Sequence, residues 1–221
     1  MFRTWIACVL LFVLIAGCGN EHGNRSVGDL SPATLPGVYS GTFPCDGCAG
    51  IPTTLWLRSD GRFFFRQSYL SDATSTVDDV YSLGRWSLSA DHGAIELRGE
   101  GPARVFLRPG RDELIMRTIS DQEHRLTRDP GAPEFSATMR LSGMTQILGN
   151  DVSFTECLTG LEAPVTEGGD FASFWHQVRN LGRVRELVYV EFEGRFTWTV
   201  DGAPQSVRIQ RFITVRAKTE C

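Results

Sequence analysis

Cysteines are the residues of this chain whose type and spacing could do chemistry. Two of the six, Cys45 and Cys48, are separated by two residues, a spacing that suits a redox-active disulfide or a soft-metal site. Cys157 and Cys221 are distant in sequence, while Cys8 and Cys18 belong to the N-terminal apolar segment. The chemistry that these cysteines can do depends on the compartment that the chain reaches.

The N-terminal segment predicts export. Arg3 precedes an almost wholly apolar run over 5–15, which is shorter than the roughly 20 residues needed to span a bilayer. The string Leu14-Ile15-Ala16-Gly17-Cys18 resembles the lipobox of bacterial lipoproteins. That resemblance implies a signal peptide over 1–17, cleavage before Cys18, and attachment of membrane lipid, including palmitate, at its sulfur. The alternative is an ordinary signal peptide followed by an incidental cysteine.

The segment over 18–34 is predicted to be a lipidated, flexible tether. After Cys18 it has only two sizeable apolar side chains, Val27 and Leu30, too few to bury a core. As a coil it would hold the folded part on the order of 20 Å from the lipid. Gly19, in place of Asp, follows the lipidated cysteine; the lipoprotein resemblance then implies the outer membrane, with the chain facing the periplasm.

Charge argues against a nucleic-acid partner. Removing the signal peptide takes one of the 22 basic residues and none of the 26 acidic ones, which leaves a net charge of −5. Nucleic-acid binding requires a basic face. The hydrophobic content of 42% is that of a globular protein.

Four cysteines remain in the mature chain, and an even number in an oxidising compartment predicts two disulfides. Three connectivities are possible. Local pairing is favoured because a boundary rich in proline and glycine, over 129–133, separates Cys45 and Cys48 from Cys157 and Cys221. The predicted domains are 35–129 and 134–221.

The first half predicts an all-β domain. Short apolar segments alternate with turn residues, and Asp60-Gly61 between two of them is a strong hairpin signal. At least six strands at this spacing predict a small antiparallel barrel or sandwich. The strands are expected over 53–57, 62–66, 84–88, 94–98, 103–107 and 113–116, with a turn over 108–111. Phe63, Phe64 and Phe65 put aromatic rings on both faces of one strand; the second face could line a cavity, form a contact patch or meet a neighbouring domain.

The second half predicts an OB-fold. Three strands are expected over 136–147, 151–157 and 161–166, and two more over 187–200 and 206–215. Between them an amphipathic helix is predicted, with Asp170 as its N-cap, Gly182 shortly after its end and a core-facing apolar stripe at helical spacing: Phe171, Phe174, Trp175 and Val178. Three strands, a helix and two strands is the order of elements in an OB-fold.

Two strings in the chain resemble one family. Gly37-Val38-Tyr39-Ser40-Gly41-Thr42-Phe43-Pro44-Cys45-Asp46-Gly47-Cys48-Ala49-Gly50-Ile51 resembles the N-terminal domain of the NlpE-type copper-resistance lipoproteins, and 152–160 with 192–196 resembles the OB-type C-terminal domain of that family. The resemblance implies a lipocalin-like barrel followed by an OB-fold. It also implies roles in copper tolerance, surface adhesion and envelope-stress signalling, with a two-component sensor kinase and a periplasmic disulfide oxidase as partners.

Three interpretations of Cys45-x-x-Cys48 stay open: a structural disulfide, a redox-sensing pair, or a Cu(I) site that exists only in the reduced form. A disulfide has no thiolate to offer a metal, so oxidation and copper binding exclude each other. Loop-closure entropy predicts about 2 kcal/mol of stabilisation from this short bridge and about 4 kcal/mol from Cys157–Cys221. A switch is therefore plausible only at Cys45–Cys48.

The other candidate residues carry less chemistry. The four histidines do not pair at metal-ligand spacing and are expected to be solvated: His22, His92, His124 and His176. We interpret the chain as a non-enzymatic envelope-stress lipoprotein. The alternatives are a lipocalin-like carrier of a small apolar ligand, which a cavity of several hundred cubic ångströms would favour, and a passive structural lipoprotein.

Overall fold

The structure is a computed structural model that describes residues 32–70, 77–90, 93–117, 122–132, 135–181, 186–217 and 220–221. The predicted signal peptide, Cys18, most of the tether, His22, His92 and Gly182 lie outside the described residues. A short 3-10 helix, Pro32–Thr34, precedes the first strand. Among the described residues, no helix has the length and apolarity needed to cross a membrane.

The first half is a closed antiparallel barrel in which each strand pairs with the next along the chain. The barrel closes because β1 also pairs with β8, with Tyr39 opposite Arg128. The lipocalin-like barrel expected from the sequence is confirmed. Its strands are β1 (Gly37–Phe43), β2 (Ile51–Leu57), β3 (Arg62–Leu70), β4 (Val77–Leu88), β5 (Ala94–Gly99), β6 (Arg104–Gly110), β7 (Glu113–Arg117) and β8 (Glu123–Arg128).

The predicted turn over 108–111 is wrong at its start, because β6 continues to Gly110. Arg108 points inward and is only 6% exposed. Its guanidinium donates to the carbonyls of Gly110 (3.1 Å) and Arg111 (2.8 Å), which ties the end of the strand to the barrel base. The register shifts between Leu107 and Gly110, so the strand accommodates this contact with an irregularity instead of ending.

Side chains fill the interior of this barrel. Alternate residues of each strand point inward, as the pleat requires, and they form one buried cluster. Its members are Leu35, Tyr39, Phe43, Leu55, Leu57, Phe63, Phe65, Ile95, Leu97, Phe106, Leu114 and Leu126. The barrel is therefore a packed core along most of its length.

The three consecutive phenylalanines of β3 divide between two cores. Phe63 and Phe65 point into the first barrel, whereas Phe64 points outward and is nevertheless 0% exposed. Its ring lies 5.1 Å from that of Phe135 and 5.5 Å from that of Trp198. Of the three possibilities left open for the second face, the structure selects contact with the neighbouring barrel.

The second half is a five-stranded closed barrel with one helix, so the predicted OB-fold is confirmed. Around the barrel the strand order is β10-β11-β13-β12-β9, and the pairing of β11 with β13 is parallel. Its elements are β9 (Met139–Leu148), β10 (Asp151–Glu156), β11 (Glu162–Thr166), α1 (Phe171–Asn180), β12 (Val188–Trp198) and β13 (Pro204–Arg216).

Helix α1 packs its apolar stripe against this barrel. Phe174 and Val178 are buried, and the Phe174 ring lies 5.8 Å from that of Phe212 on β13. The capping role predicted for Asp170 is wrong. Asp170 occupies the N-cap position but makes no side-chain cap; its carboxylate accepts from the side chain of Ser173 and from the backbone N–H of Phe212 at 2.8 Å. Asp170 therefore joins the helix start to the sheet.

The last strand of the first barrel ends at Arg128 and the first strand of the second begins at Met139. Phe135, in the connection, stacks on Trp56 of the first barrel. A single apolar cluster contains residues of both barrels, including Phe64, Leu83, Phe192 and Phe196. The boundary over 129–133 stays a prediction, and this shared cluster means that separating the halves would expose apolar surface.

Candidate functional site

The Cys45–Cys48 disulfide lies in the loop that joins β1 to β2, at one end of the first barrel. Phe43 and Ile51 are the last paired residues before this loop. The Cα atoms of the two cysteines are 5.4 Å apart, and both residues are half-exposed. A reductant or an oxidase can therefore reach the bridge without opening the barrel.

Steric constraints explain why glycine stands at two positions near the bridge. Gly50 has φ +124°, and a Cβ atom there would lie 2.5 Å from the Thr42 side chain. Gly47, between the cysteines, has φ +82°. Only glycine adopts such conformations without strain. The x-Gly-Cys-x-Gly pattern thus lets the loop turn sharply enough to bring the two sulfurs together.

His124 is half-buried, whereas the sequence predicts a solvated ring. Its ring centre lies 4.4 Å from that of Phe43, and its Nδ1 is buried without a hydrogen-bond partner. Burial lowers the pKa of His124, because desolvation disfavours the imidazolium. Sequence spacing could not reveal this position, since β1 and β8 become neighbours only when the barrel closes.

His176 is exposed on the polar side of α1, as predicted, and its Nε2 lies 2.9 Å from the side-chain nitrogen of Asn180. Within the described ranges, no group of three or more His, Cys, Asp and Glu side chains is arranged to hold a metal ion. Any soft-metal site at Cys45 and Cys48 would therefore depend on their two sulfurs in reduced form.

Cys157 and Cys221 form the second disulfide, with Cα atoms 5.6 Å apart across a sequence separation of 64. Both bridges have the local pairing that the sequence favours. Cys157 directly follows β10, and its N–H donates to the carbonyl of Ser142 on β9 at 2.9 Å. The bridge therefore ties the last residue of the chain to the rim of the second barrel.

The turn that contains Cys157 is organised by a buried carboxylate that sequence analysis missed. Glu156 is 1% exposed and accepts from the N–H of Leu158 (3.2 Å), the N–H of Thr159 (2.7 Å) and the hydroxyl of Thr159 (2.5 Å). Desolvation raises the pKa of Glu156 despite these bonds. The sequence signal for this turn was Glu156 followed three residues later by Thr159.

This turn also contacts the first barrel. The carbonyls of Thr159 and Gly160 accept from the guanidinium of Arg62 at 2.8 and 3.2 Å. Arg62 follows the β2–β3 turn of the first barrel. The second disulfide is therefore next to a polar contact between the two barrels.

Arg58 makes the other contact of the β2–β3 turn with the second barrel. It is 8% exposed, and its guanidinium lies between the rings of Trp56 (5.1 Å) and Trp198 (4.5 Å). It donates to the carbonyl of Gly202 and to the Asp60 carboxylate. Burial acts to raise the pKa of Asp60, but the hydrogen bonds and charge of Arg58 outweigh it, and the net pKa lies below its usual value.

The chain enters the first barrel at the end opposite to Cys45–Cys48. Leu35 is 0% exposed and plugs this base. Arg128 lies over the ring of Tyr39 at 4.8 Å and donates to the carbonyls of Thr34 and Pro36, both at 2.8 Å. The residues just after the predicted tether are thus fixed at the base, whereas the disulfide lies at the far end.

The sequence of this chain is similar to known proteins. Residues 39–126 match the family model of the NlpE N-terminal domain. The chain is 28% identical over 215 residues to "Lipoprotein NlpE" of Escherichia coli (strain K12), covering 92% of this chain and 86% of that protein.

Two solved structures are also similar. The crystal structure of the Cpx pathway activator NlpE from Escherichia coli is 22% identical, with 85% of this chain and 98% of that chain covered and a TM-score of 0.33. A putative lipoprotein from Shewanella oneidensis is 28% identical, with 48% and 99% covered and a TM-score of 0.38. The sequence comparisons thus confirm the resemblance of this chain to the NlpE-type lipoproteins, with residues 39–126 similar to the N-terminal domain of that family.

Proposed function

We propose that this chain is a non-enzymatic outer-membrane lipoprotein that faces the periplasm and reports envelope stress. The observation that carries the proposal is the similarity to Lipoprotein NlpE, which extends over 92% of the chain and so includes both barrels. The lipobox supplies the anchor at Cys18. The two β-barrels and the two disulfides suit a protein that stays folded in an oxidising compartment.

The orientation of the first barrel supports a signalling role. The tether leads to the barrel base, where Arg128 holds Thr34 and Pro36. The Cys45–Cys48 bridge follows the seven residues of β1 and so lies about 20 Å from that base along the barrel. There a periplasmic disulfide oxidase or the outer part of a two-component sensor kinase could reach it, and we propose these as partners.

Copper tolerance is the second part of the proposal. Two thiolates suit Cu(I), so the reduced Cys45 and Cys48 would fit this metal, whereas the disulfide seen here offers no thiolate. The half-exposed loop leaves both sulfurs accessible. Reduction of the bridge would therefore be the condition for copper binding.

The packing of the first barrel favours this proposal over the carrier of an apolar ligand. Twelve buried side chains occupy the interior, including Phe43, Phe63, Phe65 and Phe106. A lipocalin-like carrier needs a cavity where these rings lie. The remaining alternative is a passive structural lipoprotein. An experiment distinguishes it, because such a protein would give no signalling output.

The test compares the lipidated chain with a non-lipidated form, both overproduced to equal levels, and measures an envelope-stress reporter. We expect the two forms to give different reporter outputs, because only one is held at the membrane. Equal outputs at the level of an empty vector would contradict the signalling role and favour the passive alternative. A reporter response to copper that requires both Cys45 and Cys48 would support the copper role.

A further inference from the structure

The end of the first barrel next to the Cys45–Cys48 loop contains polar side chains without partners. We call the barrel mouth the group formed by Phe43, Phe65, Ser82, Arg104 and His124. Ser82 Oγ and His124 Nδ1 are both buried and have no hydrogen-bond partner. Buried polar atoms are nearly always paired, so two such atoms at one end of a barrel call for an explanation.

These polar groups surround the same two phenyl rings. Ser82 is directly opposite Phe65 in the pairing of β3 with β4, so the two side chains point to the same face of the sheet. The guanidinium carbon of Arg104 lies 5.1 Å from the Phe65 ring centre. The Phe43 ring lies 6.4 Å from that of Phe65 and 4.4 Å from that of His124. The hydroxyl and the guanidinium are thus each placed beside Phe65, and the imidazole lies against Phe43, the neighbouring ring.

Arg104 differs from the other inward-facing arginines of this barrel. Arg108 and Arg128 donate to backbone carbonyls at the base. Arg104 is half-buried on β6, and within the part of the chain that the structure describes it has no carboxylate partner and no hydrogen-bond acceptor. Desolvation lowers its pKa. A guanidinium partly removed from water without an anionic partner costs free energy, and such costs are characteristic of binding sites.

We propose that the barrel mouth binds a small oxyanion through its carboxylate or phosphate group. Arg104 supplies the positive charge, and its planar guanidinium matches two oxygens of either group. Ser82 Oγ donates a third hydrogen bond, and His124 donates from Nδ1 in the tautomer that carries its proton there. The rings of Phe43 and Phe65 close the barrel below, which limits the ligand to a small anion or to a head group whose remainder stays outside.

The source of the anion follows from the position of the mouth. The mouth lies at the end of the barrel opposite to Thr34, the point at which the predicted tether joins the barrel. A free anion in solution is therefore the expected ligand. This inference goes beyond the proposed stress and copper functions: only the source of the anion rests on the proposed lipid anchor, and the site uses neither the lipid nor the thiols of Cys45 and Cys48.

The test titrates the full lipidated chain, held in neutral detergent and in Tris buffer, with inorganic phosphate and with acetate. Calorimetry should show saturable binding of at least one anion with a dissociation constant of about 1 mM or tighter. The ring signals of His124 in NMR spectra should shift with the same saturation. Arg104→Gln should weaken binding at least about tenfold, the size expected for loss of one charged partner. The matched control is Arg98→Gln on the neighbouring strand, whose side chain is 71% exposed and pairs with Glu96; it should bind as the parent does.

Stability separates a binding role of Arg104 from a structural one. Without anion, Arg104→Gln should keep or raise the Tm, because it removes an uncompensated charge; phosphate or acetate should raise the Tm of the parent alone. Binding to phosphatidylglycerol vesicles that requires Arg104, without binding of free anions, would support the oxyanion site with a lipid source. Absence of saturable binding to anions and vesicles, or equal binding by the Arg104→Gln variant, would overturn the proposal. A lower Tm of that variant without ligand would show that Arg104 is structural and would also overturn it.

Discussion

The guanidinium of Arg58, in the first barrel, lies 4.5 Å from the ring centre of Trp198, in the second. Arg58 also donates to the carbonyl of Gly202, so the same side chain makes both an aromatic and a polar contact across the interface. Nearby, Arg62 donates to the carbonyls of Thr159 and Gly160. The β2–β3 turn of the first barrel is thus held by two separate loops of the second.

Arg58→Ala should therefore weaken the contact between the barrels. Across the interface, loss of the cation–π contact with Trp198 and of the hydrogen bond to Gly202 should lower the free energy of unfolding by about 2 kcal/mol, in addition to the lost contacts with Trp56 and Asp60 inside the first barrel. We expect calorimetry to show two separated unfolding transitions in the variant where the parent has one. Arg66→Ala is the control, since Arg66 lies exposed on β3 and should leave the transition unchanged. An unchanged single transition in Arg58→Ala would mean that this contact does not couple the barrels.

Limited proteolysis should cut the chain between 128 and 134. This segment follows the last strand of the first barrel and includes exposed residues, which proteases reach more readily than paired strands. The two fragments of the parent should co-elute in gel filtration because of the shared apolar cluster. With Arg58→Ala they should separate more readily. First cuts inside either barrel, with none in this segment, would refute the proposed boundary.

Much of the fold follows from local sequence patterns. Asp60-Gly61 produces a turn, and Phe171, Phe174, Trp175 and Val178 have the spacing of a helix. The triple Phe63-Phe64-Phe65 shows the limit of such patterns, because alternation predicts two buried faces but not what covers the second. The second face is covered by Trp198 and Phe135, which pack against Phe64 and belong to distant parts of the chain.

Some features of the candidate sites could likewise be predicted from the sequence, and others could not. The pairing of the four cysteines could be predicted, since count, compartment and the position of the boundary all favour it. The contact of Arg58 with Trp198 and that of His124 with Phe43 could not, because each depends on strands or loops that meet only in the folded barrels. The bonds of Glu156 are local to its own turn, but its burial depends on the folded barrel. Asp170 has the sequence position of a helix cap, yet in the folded chain its carboxylate accepts a hydrogen bond from the N–H of Phe212 on the sheet.

Cys221→Ser should destabilise the second barrel. Its bridge to Cys157 closes the longer of the two disulfide loops, and loop-closure entropy predicts a loss of about 4 kcal/mol. Because the parent is expected to unfold in one transition, the loss should appear as a lower denaturation midpoint of that transition in tryptophan fluorescence. Peptide mapping of the parent provides the control: Cys221 free, or joined to Cys45 or Cys48, would contradict the pairing.

The double variant Cys45→Ser/Cys48→Ser should stay folded. The short bridge contributes only about 2 kcal/mol, and the barrel core below it is intact, so the circular dichroism spectrum should match that of the parent. The reduced parent should bind Cu(I), while the oxidised parent and the variant should not. Unfolding of the variant would make the bridge structural, and unchanged copper tolerance in cells with a folded variant would exclude a metal role.

Lipid attachment at Cys18 is the claim on which the location, the orientation and the proposed signalling role all depend. Its most direct measurement is labelling of growing cells with radioactive palmitate, followed by isolation of the parent chain and of Cys18→Ala. We expect radioactive palmitate in the parent chain, which should fractionate with the outer membrane. We expect none in the variant, which should be uncleaved or soluble. Palmitate that persists in Cys18→Ala would contradict the account.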